Sequence, residues 1–156
     1  MRKLILLATS ILLCEGVGLL ATPFTLSAIP IWYMHLHKPF FSPPNWLFGP
    51  VWTTLFLLMG ISLFLVMRKS VVKKRVKIAV YYFLAQLLVN FLWSFLFFGL
   101  KSPILGLVDI IVLFILIILT MKQFLPVSRI AFWLLVPYVL WVGFATVLNI
   151  SIVVLN

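Results

Sequence analysis

Charged residues are scarce in this sequence, and acidic residues are almost absent. Only 9% of the 156 residues are charged, and just two of them are acidic, Glu15 and Asp109. A water-soluble domain carries about 25% charged residues, so this chain has too few to cover a solvated surface. The single cysteine, Cys14, excludes an intrachain disulfide and a cysteine-based structural zinc site. The chain is therefore expected to be a membrane protein, without paired carboxylates or any other conventional catalytic constellation.

Apolar residues make up 65% of the chain and fall into long runs. A helix needs about 20 mostly apolar residues to cross the hydrocarbon core of a bilayer. Five runs of that length are bounded by charge, proline or glycine: residues 4–26, 46–67, 78–100, 103–121 and 130–155. The first run is too long for the apolar part of a signal peptide, so we expect an uncleaved span. This pattern predicts an all-α membrane protein, with residues 1–156 forming a single domain of five transmembrane helices.

The positive charges follow the predicted spans. Ten of the twelve Lys and Arg residues lie at the amino end, in the loop between spans two and three, or in the loop between spans four and five. Only Lys38 and Lys101 lie on the opposite side. Cytoplasmic loops carry an excess of Lys and Arg, so the amino terminus is predicted to be cytoplasmic and the carboxyl terminus external. Because the positive charge lies in loops between apolar segments, we expect no nucleic-acid partner. The expected surroundings of the chain are membrane lipids.

The loop at residues 27–45 contains four prolines and several aromatic residues. The prolines exclude a continuous helix, and the aromatic side chains are too many for a freely solvated linker. The loop is therefore expected to fold back onto the bundle, either as an aromatic belt at the membrane interface or as a lid over a pocket. His35 and His37 in this loop could ligate a metal, but no carboxylate or cysteine lies nearby to complete a site. We therefore expect both histidines to be solvated, and no metal site is predicted.

A repeat of four residues gives two predicted spans a stripe of aromatic and uncharged polar groups. These are Tyr82, Gln86, Asn90 and Ser94 in the third span, and Trp133, Pro137, Trp141, Ala145 and Asn149 in the fifth. Such a stripe forms either interhelical hydrogen bonds for packing or the wall of a ligand cavity. Pro137 bends its helix and favours a cavity beside Tyr138 and Trp141. The roles of Glu15 and Asp109 stay open, with Lys101 one candidate partner for Asp109.

Three spaced motifs then suggest a family. The first loop and second span read WYxxLxKPxxxPP followed by Trp52, the third span reads QLxxNxxWS from Gln86, and the fifth reads PYxxWxxFAxxLN from Pro137. From about residue 30 to the end, the chain resembles the tryptophan-rich sensory protein and translocator protein family, once called peripheral-type benzodiazepine receptors. The first span matches this family in kind only.

The resemblance implies a five-helix membrane protein, commonly a homodimer, whose pocket opens toward the first loop. Family members bind porphyrins such as protoporphyrin IX and haem-related tetrapyrroles, and in animal members cholesterol, for which the recognition motif is incomplete here. By resemblance, Trp32 and Tyr33 belong to the lid and Pro43 and Pro44 to its hinge. The implied pocket wall is formed by Trp52, Asn90, Trp93, Trp141, Ala145 and Leu148.

The expected function is that of a tetrapyrrole-binding sensor or translocator. The porphyrin is expected as a ligand, and no cofactor is required. Trp52 and Trp141 match the two tryptophans implicated in light-dependent porphyrin breakdown in bacterial members, so slow photodegradation is the only catalytic activity that the resemblance implies. The alternatives are a transporter for a small apolar ligand, lipid or sterol, and a regulatory protein whose pocket controls association with a partner.

Overall fold

The computed structural model describes residues 2–69 and 73–156, and in this part of the chain it contains helices and no strands. The elements in chain order are α1 (Arg2–Ala28), a 3-10 turn (Tyr33–His35), α2 (Asn45–Met67), α3 (Lys74–Ser94), a π-helical segment (Phe95–Gly99), α4 (Pro103–Phe124), α5 (Arg129–Leu134) and α6 (Val136–Leu155). They provide five helices that are long and apolar enough to cross a membrane, the fifth composed of α5 and α6. The prediction of an all-α, five-helix bundle is confirmed.

The helix ends differ from the expected ends by up to four residues. α3 begins at Lys74 instead of residue 78, and its first turn is basic and exposed apart from Val76. α4 continues to Phe124 and places Lys122 in its last turn, where a cation interacts favourably with the helix dipole. Both turns extend past the apolar runs. Hydropathy alone therefore placed the start of α3 too late and the end of α4 too early.

The fifth span is interrupted two residues before Pro137. Helix α5 ends at Leu134, and α6 begins at Val136 with Pro137 in its first turn. Proline has no N–H to donate to the preceding turn, and its ring clashes with that turn's carbonyl group. The interruption therefore has a local cause in the sequence.

Close helix packing at one end of the bundle leaves space at the other. A Cβ added to Gly60 of α2 would lie only 2.6 Å from the Ile11 Cα of α1, so the two backbones are in direct contact there. At the same end, the rings of Phe83 and Phe124 stack with their centres 5.7 Å apart. The Ser62 hydroxyl donates a hydrogen bond to the Ala131 carbonyl oxygen at 2.7 Å and ties α2 to α5. The space lies toward the opposite end, beneath the first loop.

The first loop folds back onto the bundle, as expected. Tyr33 is 3% exposed and packs edge-on against Phe97 and Phe98, with ring centres 6.2 and 5.6 Å away. Phe40, in contrast, is fully exposed. One aromatic side chain of the loop is thus packed against the bundle, as a lid requires, whereas another faces outward.

Candidate ligand-binding site

A cavity of about 210 Å³ lies between α1, α2 and α3, at the end of the bundle that the first loop covers. Its lining is aromatic and aliphatic with a few uncharged polar groups, and Glu15 contributes its one charged side chain. The lining residues are Glu15, Gly18, Leu19, Ala21, Thr22, Thr25, Leu26, Ile29, Tyr33, Asn45, Phe48, Gly49, Trp52, Thr53, Phe56, Asn90, Trp93, Ser94 and Phe98.

One face of α1 forms the long wall of the cavity. Glu15, Gly18, Thr22, Thr25 and Ile29 are separated by three or four residues and so lie on the same side of the helix. At 1.5 Å per residue, the stretch from Glu15 to Ile29 covers about 21 Å along the axis. The cavity is therefore an elongated slot between α1 and the α2–α3 pair.

The inner end of the slot is closed by tight packing. A Cβ on Gly18 would lie 2.6 Å from the ring of Phe56, so the absence of a side chain at residue 18 lets this ring reach α1. The contact between Gly60 and Ile11 then closes the space between α1 and α2 beyond it. The slot ends near Glu15 and continues toward the loop, where Tyr33 and Asn45 line it.

The structure brings four of the expected site residues to this cavity. Tyr33, Trp52, Asn90 and Trp93 line it. Trp32 lies beside the cavity in the lid, with its ring centre 5.5 Å from that of Phe97. The hinge prolines immediately precede α2. Pro43 is half-buried, and Pro44 is exposed and occupies the N-cap position of the helix.

The other three expected residues, Trp141, Ala145 and Leu148, lie on α6 and are not in the lining of this cavity. Trp141 is close to it, because its ring centre lies 6.2 Å from that of Phe48, which does line the cavity. The Trp141 indole N–H is buried and has no hydrogen-bond partner. Phe48 thus separates the indole of Trp141 from the slot.

Hydrogen bonds between α3 and α6 hold the back of the cavity. Asn90 Nδ2 donates to the Tyr138 hydroxyl oxygen at 2.8 Å, and this hydroxyl donates to Gln86 Oε1 at 2.8 Å. Trp93 Nε1 donates to Asn149 Oδ1 at 3.3 Å, while Asn149 Nδ2 donates to the Pro103 carbonyl oxygen at 2.9 Å. Both interpretations of the polar stripe therefore apply: Gln86 and Asn149 serve packing, whereas Asn90 serves packing and also lines the cavity.

The π-helical segment places a stack of rings beside the cavity. The ring of Phe97 stacks on that of Trp93, with centres 5.1 Å apart and planes 18° from parallel. A Cβ on Gly106 would lie 2.7 Å from the Phe97 ring, so only glycine leaves room for the stack against α4. Single π-turns are frequent at functional sites.

Lys38 fixes the lid at the loop end. Its Nζ donates a hydrogen bond to the Tyr33 carbonyl oxygen at 2.8 Å and lies 4.6 Å from the centre of the Tyr33 ring. Burial raises the pKa of the Tyr33 phenol above its ordinary value, so the group is neutral at physiological pH. Asn156 adds a second attachment: its side chain accepts from the His37 N–H and donates to the His37 carbonyl oxygen, both at 2.9 Å.

Several functional candidates were missed or left undecided by the sequence. Phe48, Thr22 and Thr25 belong to none of the three motifs. The spacing of Glu15, Gly18, Thr22 and Thr25 by three or four residues is the one sequence signal that could have indicated the face of α1 that lines the cavity. Glu15 lines the cavity. Asp109 is buried, and its Oδ2 atom has no hydrogen-bond partner. In the described part of the chain, Asp109 forms no ion pair with Lys101.

The space beside Pro137 is an open groove, which this residue shares with Pro50, Val51, Thr54, Leu55 and Leu58. Tyr138, in contrast, is fully buried.

The two loop histidines take part in local hydrogen bonds. His35 Nδ1 lies 3.0 Å from the Ile31 carbonyl oxygen, and His37 Nδ1 lies 3.4 Å from Asn156 Oδ1. Among the residues that the structure describes, no three His, Cys, Asp or Glu side chains come together in a group that could hold a metal ion.

Comparison with known proteins identifies the family. The model of the TspO/MBR family matches residues 10–155. The chain belongs to the TspO/MBR family. Relatives include the tryptophan-rich protein TspO of Chlorobaculum tepidum, which is 46% identical over 155 residues, covering 99% of this chain and 98% of the relative. The tryptophan-rich protein TspO of Archaeoglobus fulgidus is 46% identical over 96% of both chains. The human translocator protein is 34% identical over 119 residues, covering 76% of this chain and 70% of the relative.

Membership in the TspO/MBR family agrees with the five apolar helices, and together they make the chain an integral, multi-pass membrane protein. The family match covers α1 from residue 10 onward, which includes the face that lines the cavity. The resemblance seen in the loop and in the third and fifth spans thus extends to the first span.

Proposed function

We propose that this protein binds a tetrapyrrole in the slot between α1, α2 and α3 and acts as a membrane sensor or translocator for it. The observation that carries the proposal is the shape and chemistry of the slot. It is elongated, it lies between one helix and a helix pair, and flat aromatic rings of Phe48, Trp52 and Trp93 line it. A flat, largely apolar macrocycle suits aromatic walls that carry a few orienting polar groups.

The volume of the slot implies movement on binding. Pockets for drug-sized ligands measure about 300–1,000 Å³, and the slot has about 210 Å³. Helix α1 is the wall best able to yield, because its outer side is exposed along its length, as at Leu12, Leu13 and Leu20. A tetrapyrrole would therefore enter with an outward shift of α1 or with a change in the side chain of Phe48.

Titration with protoporphyrin IX tests the proposal. Trp52 and Trp93 line the slot, so the bound macrocycle would quench their fluorescence in the dark, and saturable quenching is the expected result. Trp133 is exposed and distant from the lining, so Trp133→Phe is the control that should leave the bound-state quenching of the remaining tryptophans in place. Quenching that rises linearly without saturation would reject a defined site.

Light-dependent breakdown of the porphyrin is a second part of the proposal. Trp52 lines the slot and would contact the macrocycle, whereas Trp141 lies behind Phe48. Under illumination in the presence of dioxygen as the oxidant, Trp52→Phe should slow product formation more than Trp141→Phe. Equal rates for wild type and the double variant would remove both residues from the reaction.

Movement of an apolar ligand or lipid through the bundle is the alternative. The name of the human relative, translocator protein, favours it. The packing of Phe56 against Gly18 and of Gly60 against Ile11 argues for binding from one end instead, because these contacts close the inner end of the slot. Transport of an uncharged lipid or sterol across sealed vesicles that contain the protein, together with a lack of saturable protoporphyrin binding, would favour the alternative.

We also propose that the amino terminus is cytoplasmic and the carboxyl terminus external, on the basis of the ten-to-two distribution of Lys and Arg. The hydrogen bonds between His37 and Asn156 support one part of this, since they place the first loop and the end of α6 at the same end of the bundle. Reporter fusions at residue 69 and residue 156 should report opposite sides of the membrane.

The homodimer implied by the resemblance stays a prediction.

A further inference from the structure

The two ends of the slot differ in charge. At the inner end, Glu15 is the one charged side chain in the lining, and it forms no ion pair with any residue that the structure describes. At the loop end, Lys38 lies just outside the lining, against Tyr33, which is a lining residue. Both acidic side chains of the chain, those of Glu15 and Asp109, lie within spans, so the loop end has basic side chains and no acidic ones.

Lys38 has hydrogen-bonding capacity that its protein contacts do not use. An ammonium group has three N–H donors, and the described contacts of Lys38 use one of them, to the Tyr33 carbonyl oxygen at 2.8 Å. The side chain is half-buried, held over the Tyr33 ring, and has no acidic partner in the described part of the chain. A cation that is held in place and lacks an anionic partner is a ready binding partner for a carboxylate on a ligand.

We propose that Lys38 binds a carboxylate of the ligand at the loop end of the slot, so that the site selects flat apolar molecules with carboxylates at one edge. This inference rests on the proposed tetrapyrrole function and adds specificity and orientation to it. The macrocycle lies among the aromatic rings, and its carboxylates point toward the loop. The reverse orientation would bring a ligand carboxylate close to the carboxylate of Glu15, and like charges at short range repel strongly where water is scarce.

A ligand pair that differs only in charge tests the proposal. Protoporphyrin IX has two carboxylates, and its dimethyl ester has the same macrocycle without them. Both are titrated in the dark, by tryptophan quenching and in the same detergent, into wild type, Lys38→Gln and Lys101→Gln. Lys101 is the matched control, because it is the other lysine at this end of the bundle and, unlike Lys38, has no described contact with Tyr33 of the slot wall.

The expected result is selective. Lys38→Gln should bind the diacid on the order of tenfold more weakly, as expected for the loss of one charge-assisted contact, and should bind the ester as wild type does. Lys101→Gln should bind both ligands as wild type does. Glutamine keeps an N–H donor for the Tyr33 carbonyl oxygen on a side chain one bond shorter, and thermal unfolding measures whether the lid keeps its attachment.

The remaining outcomes separate two kinds of failure. If Lys38→Gln weakens the acid and the ester equally, Lys38 acts only through the lid and the inference is wrong. If it weakens neither, the inference is also wrong, while tetrapyrrole binding stands. If neither ligand binds wild type, the proposed function fails, and the inference fails with it.

Discussion

Asn90 Nδ2 donates a hydrogen bond to the hydroxyl oxygen of Tyr138 at a distance of 2.8 Å. Through this bond, a residue that lines the slot is connected to a fully buried residue of α6, which in turn donates to Gln86. The position of Asn90 in the cavity wall therefore depends on α6, although α6 itself does not line the cavity. A change at Asn90 alters both ligand contacts and core packing, so the two roles are better separated at Tyr138.

Removal of the Tyr138 hydroxyl should destabilise the fold. Tyr138→Phe leaves the Asn90 amide and the Gln86 carbonyl without their shared partner in a buried position, and Gln86 Nε2 is already unpartnered. We expect a loss of about 1–3 kcal/mol in the free energy of unfolding. Thermal or denaturant unfolding in detergent measures it. Tyr81→Phe is the control, since Tyr81 is exposed; an equal effect of the two changes would contradict a special role for the network.

Two glycine-to-alanine changes should have opposite effects. A Cβ at residue 106 would lie 2.7 Å from the Phe97 ring, whereas a Cβ at residue 16 would meet nothing within 4 Å. Gly106→Ala should therefore cost about 1–3 kcal/mol through overpacking, and Gly16→Ala should stabilise its helix by up to about 1 kcal/mol. Unfolding measurements on the pair check both signs. A destabilising effect of Gly16→Ala would show that residue 16 is packed against something.

Removal of the Asn156 side chain should loosen the first loop. Asn156→Ala deletes the acceptor for the His37 N–H and the donor to the His37 carbonyl oxygen. We expect the His37 amide to exchange with solvent roughly tenfold faster, which corresponds to about 1.4 kcal/mol. Hydrogen exchange measures the rate. Ser151→Ala is the control, because the Ser151 hydroxyl donates only within its own helix, and the same acceleration in both variants would mean that Asn156 does not hold the loop.

Truncation of Phe48 should connect Trp141 to the slot. The ring of Phe48 lies between the cavity and the Trp141 indole, at 6.2 Å from it. In protein labelled with fluorotryptophan, the fluorine resonance of Trp141 should gain a solvent isotope shift in Phe48→Ala. Phe144 also packs on Trp141, with ring centres 5.5 Å apart, but does not line the cavity. Phe144→Ala should therefore leave the resonance without that shift; a shift in both variants would place the route to Trp141 elsewhere.

The fold was largely predictable from the sequence, because each of the five spans is a mostly apolar run of about 20 residues, long enough to cross a bilayer as a helix. The site was predictable only in part. Motif residues Tyr33, Trp52, Asn90 and Trp93 line the cavity, but the long wall from α1 was missed. The spacing of Glu15, Gly18 and Thr22 identifies one side of α1, but it does not show which helices that side meets.

The position of Trp141 illustrates the same limit. A repeat of four residues identifies a face of α6, but it does not say which element that face meets. The contacts of Trp141 depend on two features: the interruption at Leu135, before Pro137, and the ring of Phe48. Both depend on tertiary packing. Residues on one helical face are predictable from sequence, whereas the partner of that face is not.

Blocking the slot tests the central claim most directly. Gly49 lines the cavity and has no atom within 4 Å of an added Cβ, so Gly49→Phe places a ring in the slot without a backbone clash. Gly16→Phe is the matched control, since residue 16 is equally open and does not line the slot. Protoporphyrin IX should bind Gly16→Phe as it binds wild type, and should bind Gly49→Phe at least tenfold more weakly, a difference of about 1.4 kcal/mol. Wild-type affinity in a folded Gly49→Phe variant would contradict binding between α1, α2 and α3.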